Sequence, residues 1–119
     1  MPQALITWLG EQCAAVTALE AQAAAQLAAG DSTAYRATMH EKATLLAGLA
    51  TQAQSLLASC PPEKRCAIAD QLQQFSASAH TALCIGSVFY MSALLYPDEH
   101  QAGQPNNLER FRDSLARDL

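Results

Sequence analysis

Ala82-Leu83-Cys84-Ile85-Gly86-Ser87-Val88-Phe89-Tyr90-Met91-Ser92-Ala93-Leu94-Leu95-Tyr96 is a nearly continuous apolar run. It closes a stretch, Gln71 to Pro97, that holds no Asp, Glu, Lys or Arg. A helix apolar on every side must be surrounded by its own fold, by a second copy or by lipid. Lipid fits poorly. A membrane span needs about 20 apolar residues, and this run is shorter. Gln71, Gln73, Gln74, Ser76, Ser78 and His80 occupy its approach, and Pro97-Asp98-Glu99 closes it without a basic flank. The expectation is a buried helix and no membrane partner.

Working outward, the chain has 119 residues, half of them apolar, and a net charge of −4. That length suits one domain with one core, spanning residues 1–119. Ala, Leu, Gln and Glu favour helix, and glycine and proline are sparse, so the expected class is all-α. Seven Lys and Arg, the first at Arg36, form no basic stripe, which argues against nucleic acid. The lack of basic residues near Met1 also argues against a secretory signal, giving a cytoplasmic expectation.

The punctuation divides the chain. Ala29-Gly30-Asp31-Ser32 supplies a glycine stop and then an N-cap. Pro61-Pro62 breaks the chain again, since proline is tolerated in the first turn of a helix and not inside one. Pro97 to Pro105 is the third break, and Asn106 then stands three residues before Glu109, the spacing of a capping box. The expected helices are about 3–29, 32–59, 62–96 and 107–117. Short connections set the three long ones in an up-down-up antiparallel bundle, with the short C-terminal helix beside them.

Apolar stripes agree with this division. The second helix reads Tyr35, Met39, Leu46, Leu49, Ala53, Leu56 and Cys60, with Lys42 interrupting. The third reads Ile68, Leu72, Phe75, Ala79, Ala82, Gly86, Phe89, Ala93 and Tyr96. The first is weaker: Leu5, Leu9, Val16, Leu19, Ala23 and Leu27, with Gln12 and Gln26 interrupting. Late in the third helix Leu83, Ile85, Val88, Tyr90, Met91, Leu94 and Leu95 lie off the stripe, and two partner helices cannot cover them all. The expected interface is therefore Leu83, Val88, Phe89, Tyr90, Met91, Leu94 and Leu95, completed by self-association, a dimer being favoured, with the short C-terminal helix folded over it or a helical protein partner as the alternatives.

Candidate ligands come from counting equal rise along antiparallel helices. Glu20 and His40 each lie ten residues from Gly30, and His40 falls opposite the region of His80 and Cys84, which share a helix face. Glu20, His40, His80 and Cys84 then share one layer and form a candidate transition-metal site. Hydrogen bonds Glu20–His40 or Tyr35–His80 are the metal-free alternative, and no cofactor is required. Cys13, Cys60, Cys66 and Cys84 lack zinc-finger spacing; Cys60 and Cys66 flank the proline turn and form a candidate redox pair.

Other constellations are less organised. Asp98, Glu99 and His100 make a polar loop cluster, and Trp8, Tyr90 and Tyr96 are candidates for lining a pocket at a bundle end. Arg110, Arg112 and Arg117 interleave with Glu109, Asp113 and Asp118 as an ordinary mixed-charge face. No nucleophile elbow or glycine-rich loop organises a catalytic site, so an enzyme is not expected. The run Asp31, Tyr35, Met39, Lys42, Leu45, Leu46 and Leu49 is similar in texture to helices of flagellar-type export chaperones, and implies a chaperone-like role as a further alternative. The leading expectation is a small interaction or adaptor module. A metal- or ligand-binding bundle is the second.

Overall fold

The computed structural model describes residues 3–97 and 100–118. Its elements are α1 (Gln3–Ala28), α2 (Ser32–Ala47), α3 (Leu49–Leu57), α4 (Pro62–Ile85), α5 (Val88–Ala93) and α6 (Asn107–Asp118), with no strand among the described residues. The all-α expectation therefore holds. The helix ends follow the local grammar. Gly30 is left-handed at φ 76°, and Asp31 N–H donates to Gln26 O at 3.0 Å, closing the end of α1. The Asp31 side chain then accepts from Ala34 N–H at 3.1 Å and starts α2. Asn106 and Glu109 each donate a backbone N–H to the other's side chain at 2.9 Å, the reciprocal pattern expected from their spacing.

Two of the expected long helices are broken. The span 32–59 divides at Gly48, where Ser76 of α4 enters the helical ladder. Its hydroxyl accepts from Ala50 N–H at 3.0 Å and donates to Leu46 O at 3.1 Å, taking both groups that an uninterrupted helix would join to each other. The span 62–96 stops at Ile85. Gly86 is left-handed at φ 72°, and Ser87 caps a new short helix by accepting from Tyr90 N–H at 3.2 Å. Gly86-Ser87 is the same stop-and-restart signal as Gly30-Asp31, carried inside an apolar run.

The α2–α3 pair lies between α1 and α4, α5 packs on α2 and α4, and α6 packs on α1. Phe111 of α6 also reaches Phe75 of α4, ring centroids 5.8 Å apart. The main core joins Leu5, Leu9 and Val16 of α1 to Leu46, Leu49, Leu72 and Leu108. Each such leucine contributes about 1.5–3 kcal/mol by leaving water. A second, smaller cluster of Ala23, Met39, Ala43, Ala82 and Met91 lies toward the Gly30 turn. Here α5 lays Met91 over a floor of small residues.

Candidate functional site

Where a level in both α1 and α2 carries a charge on the buried stripe, the structure builds a polar cluster. The buried residues of α1 are Leu5, Leu9, Cys13, Val16 and Ala23, and Glu20 falls on that alternation between Val16 and Ala23. In α2 Lys42 sits on the same rhythm between Met39 and Leu46 and is itself 1% exposed. Lys42 Nζ lies 3.0 Å from Glu20 Oε2 and donates to Ser92 O of α5 at 3.1 Å. Tyr96 O–H donates to Glu20 Oε1 at 2.6 Å, and the Tyr96 ring stands 5.1 Å from the ammonium. Burial pushes the Lys42 ammonium below its ordinary value, against the opposing pull of Glu20. Burial, and then the Glu20 carboxylate, push the Tyr96 phenol well above its own. Over this floor opens a groove of about 300 Å³, walled by Ala23, Ala24, Leu27, Tyr35 and Met39.

The cluster corrects the level count by two residues. Glu20 faces α2 as expected, but its partner is Lys42 and not His40. The stripe of α1 also runs through Cys13 and Glu20, leaving Leu19 half-buried and Leu27 60% exposed. His40 is exposed, its ring 3.5 Å from Thr44 Oγ1, and His80 and Cys84 are exposed on α4. The four residues Glu20, His40, His80 and Cys84 are not brought together. Among the described residues no group of three or more His, Cys, Asp or Glu is placed to hold a metal ion. Neither Glu20–His40 nor Tyr35–His80 is among the hydrogen bonds formed; Glu20 is taken by Lys42 and Tyr96.

The remaining candidates separate in the same way. Cys60 and Cys66 are free thiols, the first buried and the second exposed. Trp8 packs against the main core, Tyr96 covers Lys42 and Tyr90 is exposed, so the three aromatics do not line one pocket. His100 sets its ring edge-on to Tyr96 at 4.7 Å; Asp98 and Glu99 lie outside the described residues. On α6, Arg112 pairs with Asp113 at 2.9 Å.

The expected interface splits in two. Met91 and Leu95 are buried within the chain, while Leu83, Val88 and Leu94 are half-buried against the smaller cluster. Covering them did not require a second molecule, because the break at Gly86 folds α5 back over α2 and α4. Phe89 and Tyr90 face outward at 74% and 52% exposure, and Ile85, at the end of α4, is 59% exposed. Beside them runs an open groove of about 330 Å³ lined by Ser78, Thr81, Ala82, Ile85, Tyr90, Ala93 and Leu94.

Fold and site together define a small all-helical protein with a self-satisfied polar cluster around a buried lysine and an exposed aromatic ridge. No helix among the described residues is long and apolar enough to cross a membrane. Comparison with protein families, with curated proteins and with solved structures returned no match.

Proposed function

We propose that the protein is a small cytosolic interaction module, an antiparallel helical bundle that self-associates reversibly through the ridge of Ile85, Phe89 and Tyr90. The observation that carries this reading is three large apolar side chains, each more than half exposed, on a stretch without a single charge. Exposed patches of this kind on soluble chains are often functional. The occupant proposed is a second copy: two chains of net charge −4 repel one another, and the ridge lies on a stretch that carries no charge of its own. Two like-charged molecules approach at lower cost through an uncharged segment, and a two-fold contact sets the same ridge on both sides.

Magnitude decides what sort of contact this is. A fully buried aromatic covers about 150–250 Å², so the ridge offers on the order of 350 Å². A stable interface takes about 800 Å² from each partner. The association is therefore weak and reversible, suited to an adaptor that exchanges its own copy for other helical surfaces. An enzymatic role is not proposed, because the polar groups that converge, Glu20, Lys42 and Tyr96, satisfy one another.

Sedimentation velocity over a wide concentration range tests the reading. The wild-type chain is expected to shift toward a dimer as concentration rises, and a Phe89→Asp, Tyr90→Asp variant to remain monomeric with unchanged circular dichroism. A wild-type chain that stays monomeric throughout, or a variant that assembles as the wild type does, overturns it. Polar substitution at Met91 or Leu95 tests the fold and not assembly.

A further inference from the structure

The segment after α4 is attached unlike the rest of the molecule. It begins at Gly86 and ends at Leu95, and both are left-handed, Leu95 at φ 77° despite its side chain. A leucine in that conformation is strained and persists only where its surroundings hold it. Leu95 is held by its burial in the main core and by Asn107 N–H, which donates to its carbonyl at 2.9 Å. Between these anchors α5 contributes one buried side chain, Met91, while Phe89, Tyr90 and Ala93 stay exposed. Met91 belongs to the smaller cluster, separate from the main core.

Val88, Met91 and Leu94 pack the segment down on its apolar side, Leu94 against both clusters, and a polar tie fastens it across α2 and α1. Lys42 Nζ reaches across from α2 to Ser92 O at 3.1 Å, Glu20 holds that ammonium at 3.0 Å, and Tyr96, one residue past the second anchor, closes on Glu20 at 2.6 Å. One carboxylate of α1 thus ties α2, α5 and the loop after it. Buried hydrogen bonds to charged groups are strong where made and costly where lost, so such a tie behaves as a latch rather than as diffuse packing.

We infer that the chain from Ser87 to Leu94 is a hinged strap, latched by Glu20, Lys42 and Tyr96, that opens as a unit while the other helices stay packed. Gly86 and Leu95 are its hinges, since residues at element ends absorb the backbone rotation of such a movement. Opening lifts Met91 and uncovers a channel floored by Ala23, Met39, Ala43 and Ala82. The same movement carries Phe89 and Tyr90, so the strap couples the outward ridge to the channel beneath it.

Native-state hydrogen exchange tests this on the intact chain, at dilution where any dimer is dissociated, so the result does not depend on the self-association proposed above. The informative amides are Met91, which donates to Ser87 O at 3.0 Å, and Leu94, which donates to Met91 O at 3.4 Å. They are expected to exchange through an opening with much smaller denaturant dependence than the amides of Leu9, Leu46 and Leu72. In Tyr96→Phe their protection is expected to fall roughly tenfold or more, by at least as much as that of the three core amides, because the latch is broken in the open state as it is in the unfolded one. Lys42→Met, which removes the bond to Ser92 O and keeps an apolar stem, is expected to act in the same direction. If Met91 and Leu94 exchange with the same free energy and denaturant dependence as the core amides, or if the variants lower the core amides and leave Met91 and Leu94 unmoved, there is no separate latched strap and the inference falls.

Discussion

Lys42 is the residue on which the energetics of this molecule turn. A buried ion pair is a poor source of net stability, because desolvating both charges offsets their attraction. Losing one partner is different. Glu20→Ala leaves the fully buried Lys42 ammonium without its counter-charge and is expected to cost about 3–5 kcal/mol in urea unfolding. Glu20→Leu combined with Lys42→Met removes both charges and is expected to lie close to the wild type. Comparing the single and double variants separates a stabilising pair from a mutually dependent one.

Tyr96 gives the same cluster a signature at high pH. Its phenol is raised by burial and by Glu20, so the folded state holds that proton more tightly than the unfolded chain does. The stabilisation is complete below about pH 10, the ordinary tyrosine value, and is lost as pH climbs through the raised folded value. Lys42 acts with the opposite sign: its ammonium is lowered in the fold, so stability rises between that lowered value and the ordinary lysine range. In alkaline titration, phenolate absorbance is expected to contain a component that appears only with the loss of helical circular dichroism. That component is expected to be missing from Tyr96→Phe.

At the scale of elements, the two helix breaks have different causes and respond to different substitutions. The break between α2 and α3 is stitched by a neighbouring helix. Ser76→Ala deprives Ala50 N–H and Leu46 C=O of their partner and is expected to cost about 1–3 kcal/mol. The break between α4 and α5 is intrinsic to Gly86. Gly86→Ala adds no clash, since nothing lies near the position of a new Cβ, but it places alanine at φ 72° at a cost of about 1–2 kcal/mol. Gly10, inside α1, is the control: a new Cβ meets only Arg112 Cδ at 3.9 Å. Gly10→Ala is expected to stabilise by about 0.5–1 kcal/mol through helix propensity, measured by the same unfolding midpoint.

For the whole molecule, reversible association through the ridge makes thermal stability depend on protein concentration. The melting temperature of the wild type is expected to rise with concentration by mass action, and that of Phe89→Asp, Tyr90→Asp to be independent of it. Differential scanning calorimetry on a dilution series reads both.

Patterning and local chemistry were enough to determine an all-helical chain, the turns at Gly30 and Pro61, the caps at Asp31 and Asn106, and most of the buried stripes of α2 and α4. These are set by neighbours in the chain, by what glycine, proline and capping side chains do to the next few residues, and so they are legible without a fold. Lys42 and Glu20 each stand on an apolar rhythm, Lys42 as a visible interruption and Glu20 beside Leu19, whose spacing offers α1 an equally regular stripe. Nothing local says that the two charges meet, because their partnership depends on the exact register of α1 against α2. Tertiary structure alone decided that register, the insertion of Ser76 into the ladder at Gly48, and where the chain packs after the local stop at Gly86-Ser87. That last event changed the meaning of the apolar run most. Its composition demanded cover, and only packing in space determined that Met91 and Leu95 find it within the chain while Ile85, Phe89 and Tyr90 do not.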